Sequence, residues 1–299
     1  MLEFQPLTEE ALQILRGRFG RDTQGMSDNT FWSAWIWRRY FRLQWAMYGD
    51  VLCLTSVYPT EKLTAVSLPE GGWSAALLEE LRLWAVRQHI PLCLCPVGEQ
   101  EVQSLAALWP QAQAIPCRQW FDYVYAAADL RTLAGRRFGG QRNHVNRFLR
   151  ENPDWHFEAI TAENVGAVRE FFEANAGKKS FAAAAAEQES LRELLRNWAQ
   201  AAGNGLLGGA LFVKNSVVGF ALAERVADTL YVHAEKADRE LHGAYPMVVQ
   251  QTALAFAGTD SGIVWINRED DAGDTGLRTV KLSYHPVTMT EKYLVRLPV

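Results

Sequence analysis

The chain has 299 residues and a mass of 33.7 kDa, with 48% hydrophobic and 21% charged residues and a formal net charge of -4. That hydrophobic fraction excludes a disordered chain, and 22 Gly and 11 Pro without a period exclude a collagen-like repeat. Thirty basic against thirty-four acidic residues give no overall polyanion-binding charge, and the length allows one large domain or two modest ones.

The first residues carry Glu3, Glu9 and Glu10 and no basic segment ahead of an apolar stretch, so no signal peptide is expected. The longest uncharged aromatic run, Thr30 to Trp37, is far shorter than the roughly 20 residues that span a bilayer. The expectation is a cytoplasmic protein without a transmembrane segment. Cys53, Cys93, Cys95 and Cys117 all lie in apolar stretches and read as buried thiols, with Cys93 and Cys95 on one face of a strand.

In chain order, helical spacing runs through Glu9 to Phe19 and Phe31 to Phe41, followed by alternation in Leu43 to Met47. Gly49-Asp50 offers a turn before strands Val51 to Tyr58 and Lys62 to Leu68. An amphipathic helix at Trp73 to His89, a strand at Leu92 to Pro96, a helix at Glu99 to Leu108 and a strand at Phe121 to Ala126 complete the first half. The eleven tryptophans, eight of them before residue 121, read as core or domain-interface packing.

The second half starts with strand Trp155 to Ile160 and helices Val165 to Asn175 and Glu187 to Ala201. The alanine run Ala182 to Ala186, after Lys178-Lys179-Ser180-Phe181, reads as a helix segment or loop without chemistry. Strands Leu206 to Val213, Val217 to Arg225 and Thr229 to Glu235 follow, then helix Ala244 to Ala257, strand Ile263 to Asn267, helix Asp274 to Leu282 and a last strand near Thr288 to Arg296. His89, His156 and His233 fall at or near element ends without an evident partner and read as structural.

The fold class is therefore mixed α/β, and the order β-α-α-β-β-β-α-β-α-β resembles that of GNAT-type acyltransferases, in which a central strand splays from its neighbour. Two such halves resemble the tandem GNAT arrangement of aminoacyl-transfer enzymes. The expected division is a GNAT-like domain over 1–127, a basic connecting helix over 128–153 and a second GNAT-like domain over 154–299.

Averaged charge hides a local concentration, since Arg131 to Arg150 contains six arginines and no acid. Asn143, Asn146, Arg147 and Arg150 share one helical face, while Val145, Phe148 and Leu149 fall on the other. Such a helix is either a solvated linker docked by its apolar stripe or, with Arg142, a face for an anion such as tRNA, because guanidinium forks match phosphate.

Arg142-Asn143-His144-Val145-Asn146-Arg147-Phe148, together with the stretch from Trp265 to Pro286, resembles the bacterial family built on the phosphatidylglycerol lysyltransferase C-terminal domain. In its lipid-modifying members a transmembrane region accompanies a domain that takes an aminoacyl group from tRNA. The tail from Leu277 to Pro286 is similar to the Lys-x-x-aromatic-x-Pro ending of those relatives, and this nominates Lys281 and Tyr284. The resemblance implies an acyl- or aminoacyltransferase acting on an amine or hydroxyl acceptor, either a small molecule or a lipid headgroup presented at the surface.

Three segments carry candidate chemistry. Arg278 and Lys281, three residues apart on a helix, are placed to meet a phosphate or a developing oxyanion, and Tyr284 to manage a proton. Asn267-Arg268-Glu269-Asp270 follows a strand, where Asp270 is the expected ammonium-binding carboxylate. Gly243, Ala244 and Tyr245 form a candidate anion or substrate loop at a helix start. Coenzyme A-binding GNAT enzymes carry Arg/Gln-x-x-Gly-x-Gly/Ala there. Here Arg239-Glu240-Leu241-His242-Gly243-Ala244 has His at the first glycine position, which lowers coenzyme A relative to aminoacyl-tRNA as the donor. No metal site is expected. A coenzyme A-dependent N-acetyltransferase and a non-enzymatic module binding tRNA through Arg142, Arg147 and Arg150 are the competing functions.

Overall fold

A computed structural model describes residues 2–177 and 182–298, so Lys178 to Phe181 lie outside the described residues. The chain packs as two units. One takes the residues up to Asp122, Asp270–Gly273 and the chain from Thr290 on; the other takes Tyr123–Glu269 and Asp274–Met289.

The first unit contains β1 (Gln5–Pro6), α1 (Glu9–Leu15), α2 (Phe31–Trp37), β2 (Gln44–Tyr48), β3 (Val51–Tyr58), β4 (Leu63–Ser67), α3 (Ala75–Gln88), β5 (Leu92–Gly98), α4 (Glu99–Leu108) and β6 (Gln113–Pro116). The Ser74 hydroxyl caps α3 by accepting from the Leu77 amide at 3.2 Å. Leu77, Leu78, Leu81, Trp84 and Ala85 repeat at helical spacing and form its buried stripe. Trp32 and Trp35 are buried, as packing predicts, and the Arg38 guanidinium lies 3.8 Å from the Trp35 ring. All four cysteines are buried free thiols, with Cys93 and Cys95 in one apolar cluster and Leu94 in another across the strand. Burial pushes the Cys53 thiol up to about 12.

The second unit contains β7 (Asp122–Ala126), α5 (Ala127–Thr132), α6 (Gly139–Glu151), β8 (Trp155–Ala159), α7 (Val165–Asn175), α8 (Ala182–Arg196), α9 (Trp198–Gly203), β9 (Leu207–Val213), β10 (Ser216–Val226), β11 (Thr229–Ala237), α10 (Ala244–Phe256), β12 (Trp265–Asn267), α11 (Thr275–Leu282) and β13 (Thr288–Thr290). A final strand, β14 (Lys292–Leu297), returns to the first unit. The expected helix Glu187 to Ala201 is two helices that part at Asn197, and the alanine run belongs to the first of them.

Each sheet has seven strands, in the orders β1-β2-β3-β4-β5-β14-β6 and β13-β7-β12-β11-β10-β9-β8. Each contains a parallel pair, β4 with β5 in the first and β11 with β12 in the second. This repeated parallel pair is the physical form of the similarity between the halves.

The linear division at 127 and 153 does not describe these sheets. The strand expected to close the first half, β7, pairs with β12 in the second sheet, Tyr125 opposite Ile266. The strand expected near Thr288 to Arg296 breaks at Glu291, and its second piece pairs with β5 and β6 in the first sheet. Lys292 explains the break: its ammonium is buried, 2.7 Å from Asp122 Oδ1 and ion-paired with Asp28, while Ser27 donates to the same Asp122 carboxylate. A buried cation needs paired carboxylates, and these are found only in the first unit's core among the described residues around it.

The expected connecting helix is also part of the second unit. Val145 and Phe148 of α6 sit in its core with Tyr123, Tyr125, Leu230 and Met247, and Leu149 packs against that core.

Candidate functional site

In the second sheet, β11 pairs with β12 only from Thr229 opposite Trp265 to Tyr231 opposite Asn267. β12 ends there, whereas β11 runs on to Ala237 and stays paired with β10. On the other side, the chain leaving β12 stays bonded to β7: the Arg268 amide donates to the Tyr123 carbonyl at 3.0 Å and the Tyr123 amide to the Glu269 carbonyl at 3.1 Å. One edge holds while the other parts, and a wedge opens between β11 and the exit of β12.

The register between β10 and β11 shifts between Leu222 and Ala223, so His233 sits at an irregularity that breaks the alternation of β11: Tyr231 lies opposite Glu224, and Glu235 opposite Ala221. The Arg268 guanidinium is buried and bonds Glu235 through Nε, at 3.1 and 3.2 Å, and through Nη2, at 2.6 Å. Burial alone would lower its pKa, but the Glu235 carboxylate outweighs this and raises it, so the group stays a cation. Its carbon lies 4.8 Å from the Tyr284 ring centre and 5.5 Å from that of Tyr125, within cation–π range of both. Nη1 is buried and has no hydrogen-bond partner.

Lys281 and Tyr284 come to the same place from α11, whose first turn is capped by Asp274 accepting from the Leu277 amide at 2.9 Å. Lys281 is buried, and its ammonium donates to the Arg268 carbonyl at 2.5 Å. The Tyr125 hydroxyl donates to the Lys281 carbonyl at 2.8 Å, which fixes the helix against β7. Tyr284 is buried, and burial pushes its phenol up to about 12.

A second buried polar group comes from the middle of β11. His233 Nε2 is 2.9 Å from Glu224 Oε1 on β10, and Nδ1 is 2.8 Å from Glu269 Oε1 just past β12. Burial alone would lower the imidazole pKa, but the two carboxylates more than reverse this and raise it to about 9. At neutral pH the ring is an imidazolium donating both N–H groups. Glu269 has φ +56, and the Asn267 side-chain oxygen accepts its amide at 2.7 Å, which holds that left-handed turn. His233 therefore has partners and lies inside a strand, unlike the expectation for it.

Two open hollows lie away from these residues, one beside α7 lined by Gly166, Arg169, Glu170 and Glu173, and one in the first unit lined by Arg38, Arg39 and Arg42. Neither contains the buried polar groups.

A sequence model described as phosphatidylglycerol lysyltransferase, C-terminal, matches residues 22–296. The chain belongs to that family. Among solved structures, it is similar over 100% of both chains to a conserved protein of unknown function from Bacteroides thetaiotaomicron, with 29% identity and a TM-score of 0.87. The L-PGS structure from Bacillus licheniformis is similar over 98% of this chain and 93% of that one, with 13% identity and a TM-score of 0.65. An uncharacterised protein of Mycoplasmoides gallisepticum is 20% identical over 176 residues, which are 58% of this chain and 56% of that protein, about half its length. The likeness to L-PGS shows a shared fold, which in this member of the phosphatidylglycerol lysyltransferase C-terminal family is mixed α/β with two mixed sheets. Among the described residues of this family member, no helix is long and apolar enough to cross a membrane.

The remaining expected residues are dispersed. Arg142 donates to the Leu133 carbonyl and, at 2.5 Å, to the Gly135 carbonyl, so it closes the loop between α5 and α6. Arg147 pairs with Glu151 at 2.8 Å, and Asn143 and Asn146 are exposed. Lys281 turns inward while Arg278 stays half-exposed, so the two do not present a shared anion clamp. Asp270 belongs to the first unit, where its carboxylate accepts the Ala272 amide at 2.8 Å.

Gly243 has φ +83, and a Cβ there would lie 2.4 Å from the His144 carbonyl and 2.9 Å from Phe148 Cβ. Its glycine is explained by the close approach of α6. Ala244 is fully buried, Tyr245 packs against the core, and His242 Nε2 lies 2.9 Å from His144 Nδ1. Sequence reasoning missed Glu224, His233, Glu235 and Tyr125. The available signal was polar alternation, His233 then Glu235, inside an otherwise apolar strand.

Proposed function

We propose that this chain moves an activated acyl group, from an aminoacyl-tRNA kind of donor, to an amine or hydroxyl acceptor. The observation that carries the reading is Arg268: a buried guanidinium at the strand wedge, pinned by Glu235, with Nη1 unsatisfied. A buried N–H without a partner costs roughly 1–3 kcal/mol. An oxygen that gains negative charge during transfer recovers that cost most fully, which is differential stabilisation of the transition state.

In this assignment Arg268 Nη1 donates to the acyl carbonyl oxygen, and Lys281 positions Arg268 by holding its carbonyl. The acceptor's nitrogen or oxygen forms a bond to the acyl carbon as the ester bond to the ribose oxygen breaks. The Tyr284 phenol gives a proton to that leaving oxygen, and the proton shed by the acceptor restores the balance. Glu269, next to Arg268 and only partly buried, takes the ammonium-binding role that Asp270 was expected to fill. Arg278, half-exposed on the same helix, meets donor phosphate.

Coenzyme A is disfavoured as donor because Gly243 faces the α6 backbone and His242 stands where the loop's first glycine belongs. A purely anion-binding module is disfavoured because Arg142 and Arg147 are engaged within the protein. The test offers wild type and Arg268→Lys a panel of labelled aminoacyl-tRNAs and acyl-thioesters. Transfer from charged tRNA, reduced about a hundredfold or more by the variant, supports the reading; transfer from acyl-thioesters alone overturns it.

A further inference from the structure

Two histidines that lie 98 positions apart in the sequence meet at the surface of the second unit. His144, on α6, brings Nδ1 to within 2.9 Å of Nε2 of His242, the residue before the Gly243 that caps the start of α10. The backbones hold this pair together. Val145 and Phe148 fix α6 in the core, and Gly243, at φ +83, lets the chain pass so close that a Cβ there would collide with the His144 carbonyl. Among the described residues neither imidazole has another hydrogen-bond partner. A bond between two exposed imidazoles gains little over water, so the fold does not require it.

The spacing matches that of two ligands on one metal ion. The ring centres are 4.8 Å apart and the rings are inclined at 44°, so the two ring axes are not collinear. Imidazoles with metal–nitrogen bonds of about 2.0–2.1 Å have their nitrogens about 2.9 Å apart when the angle at the metal is a right angle, as in square-planar or octahedral coordination. Tetrahedral zinc would need them about 3.4 Å apart. No group of three or more His, Cys, Asp or Glu suited to a metal occurs among the described residues, so the protein supplies two ligands and water the rest. His144 is exposed, which leaves room for that water.

We propose that His144 Nδ1 and His242 Nε2 bind a divalent late transition-metal ion of right-angled coordination, of the Cu2+ and Ni2+ class. Binding releases no proton from the neutral pair. The hydrogen between the rings moves to the outer nitrogen of the ring that donated it, so each ring keeps one N–H and offers one lone pair to the metal. The general affinity order for nitrogen ligands places Cu2+ ahead of Ni2+ and Zn2+. Arg147, one turn along α6, is paired with Glu151, which offsets its charge. The bound ion ties α6 to the start of α10. The site shares no residue with the Arg268 wedge, and its test needs no turnover.

Calorimetric titration of tag-free protein with CuCl2, NiCl2 and ZnCl2 ranks the affinities. The expected result is a site of one ion per chain, tightest for Cu2+ and weakened about a hundredfold or more by His144→Ala or by His242→Ala, since either change removes the chelate. His156→Ala, at another exposed histidine on β8, leaves binding unchanged. Electron paramagnetic resonance of the wild-type Cu2+ form, which needs no variant, shows coupling to two imidazole nitrogens. The proposal is overturned by no binding, by affinity that survives either substitution or falls with His156→Ala, by Zn2+ bound more tightly than Cu2+, or by coupling to any number of imidazoles other than two.

Discussion

His233 Nδ1 and Glu269 Oε1 meet at 2.8 Å, joining the middle of β11 to the turn that ends β12. The bond crosses the wedge where the two strands no longer pair, and Glu224 anchors the other side of the same ring from β10. The imidazolium holds two carboxylates together and steadies the turn that carries Arg268.

Stability should therefore fall in alkaline solution. His233 is raised from 6.5 to about 9, so its contribution is fully present below about pH 6.5 and is lost as pH rises through about 9. The contribution is about 3 kcal/mol. Urea unfolding across this range should show a downward slope in wild type that His233→Gln lacks, the variant being less stable by about 3 kcal/mol at neutral pH. Equal pH slopes in the two proteins would contradict the bridge.

Gly243→Ala should destabilise the second unit by about 2–4 kcal/mol, because the methyl meets the α6 backbone and the residue sits at positive φ. Gly140→Ala, in α6 with nothing near its missing Cβ, should be neutral or stabilise by about 0.5–1 kcal/mol. Thermal melts of the two variants separate close packing from a general intolerance of alanine.

Lys292→Met should cost about 3–5 kcal/mol, since it leaves Asp122 buried beside Asp28 without its cation. Adding Asp122→Asn should recover part of that loss. Denaturant unfolding of the single and double variants measures the coupling, and strictly additive losses would remove the ion pair as the reason β14 stays in the first sheet.

Tyr284→Phe keeps the ring beside Arg268 and removes the phenol. Transfer should slow by about a hundredfold with little change in the unfolding midpoint. A slowed reaction together with a large loss of stability would assign Tyr284 to packing alone.

Much of the architecture is legible where one periodicity is strong and its ends are marked. Val51–Tyr58, Glu99–Leu108 and Val165–Asn175 have the bounds that alternation, helical spacing and turn residues predict. The exchanged strands are not legible, because nothing local to Thr288 through Arg296 reveals that Lys292 needs Asp122, a residue 170 positions earlier. The candidate site divides in the same way. Arg268, Lys281 and Tyr284 lie on two neighbouring segments that the sequence nominates separately, whereas the Glu224–His233–Glu269 bridge depends on strand register across three segments. The arginines of α6 illustrate the opposite error: a local charge cluster is visible in the sequence, but the carbonyls and Glu151 that occupy Arg142 and Arg147 are not.

The most direct test of the central claim is single-turnover transfer from tRNAs charged with labelled amino acids, comparing wild type with Arg268→Gln at matched fold. The account predicts that label leaves at least one charged tRNA for an amine or hydroxyl acceptor, and that the variant is slower by about a hundredfold or more. Folded wild type that transfers from none of them, or a variant that transfers at the wild-type rate, would contradict it.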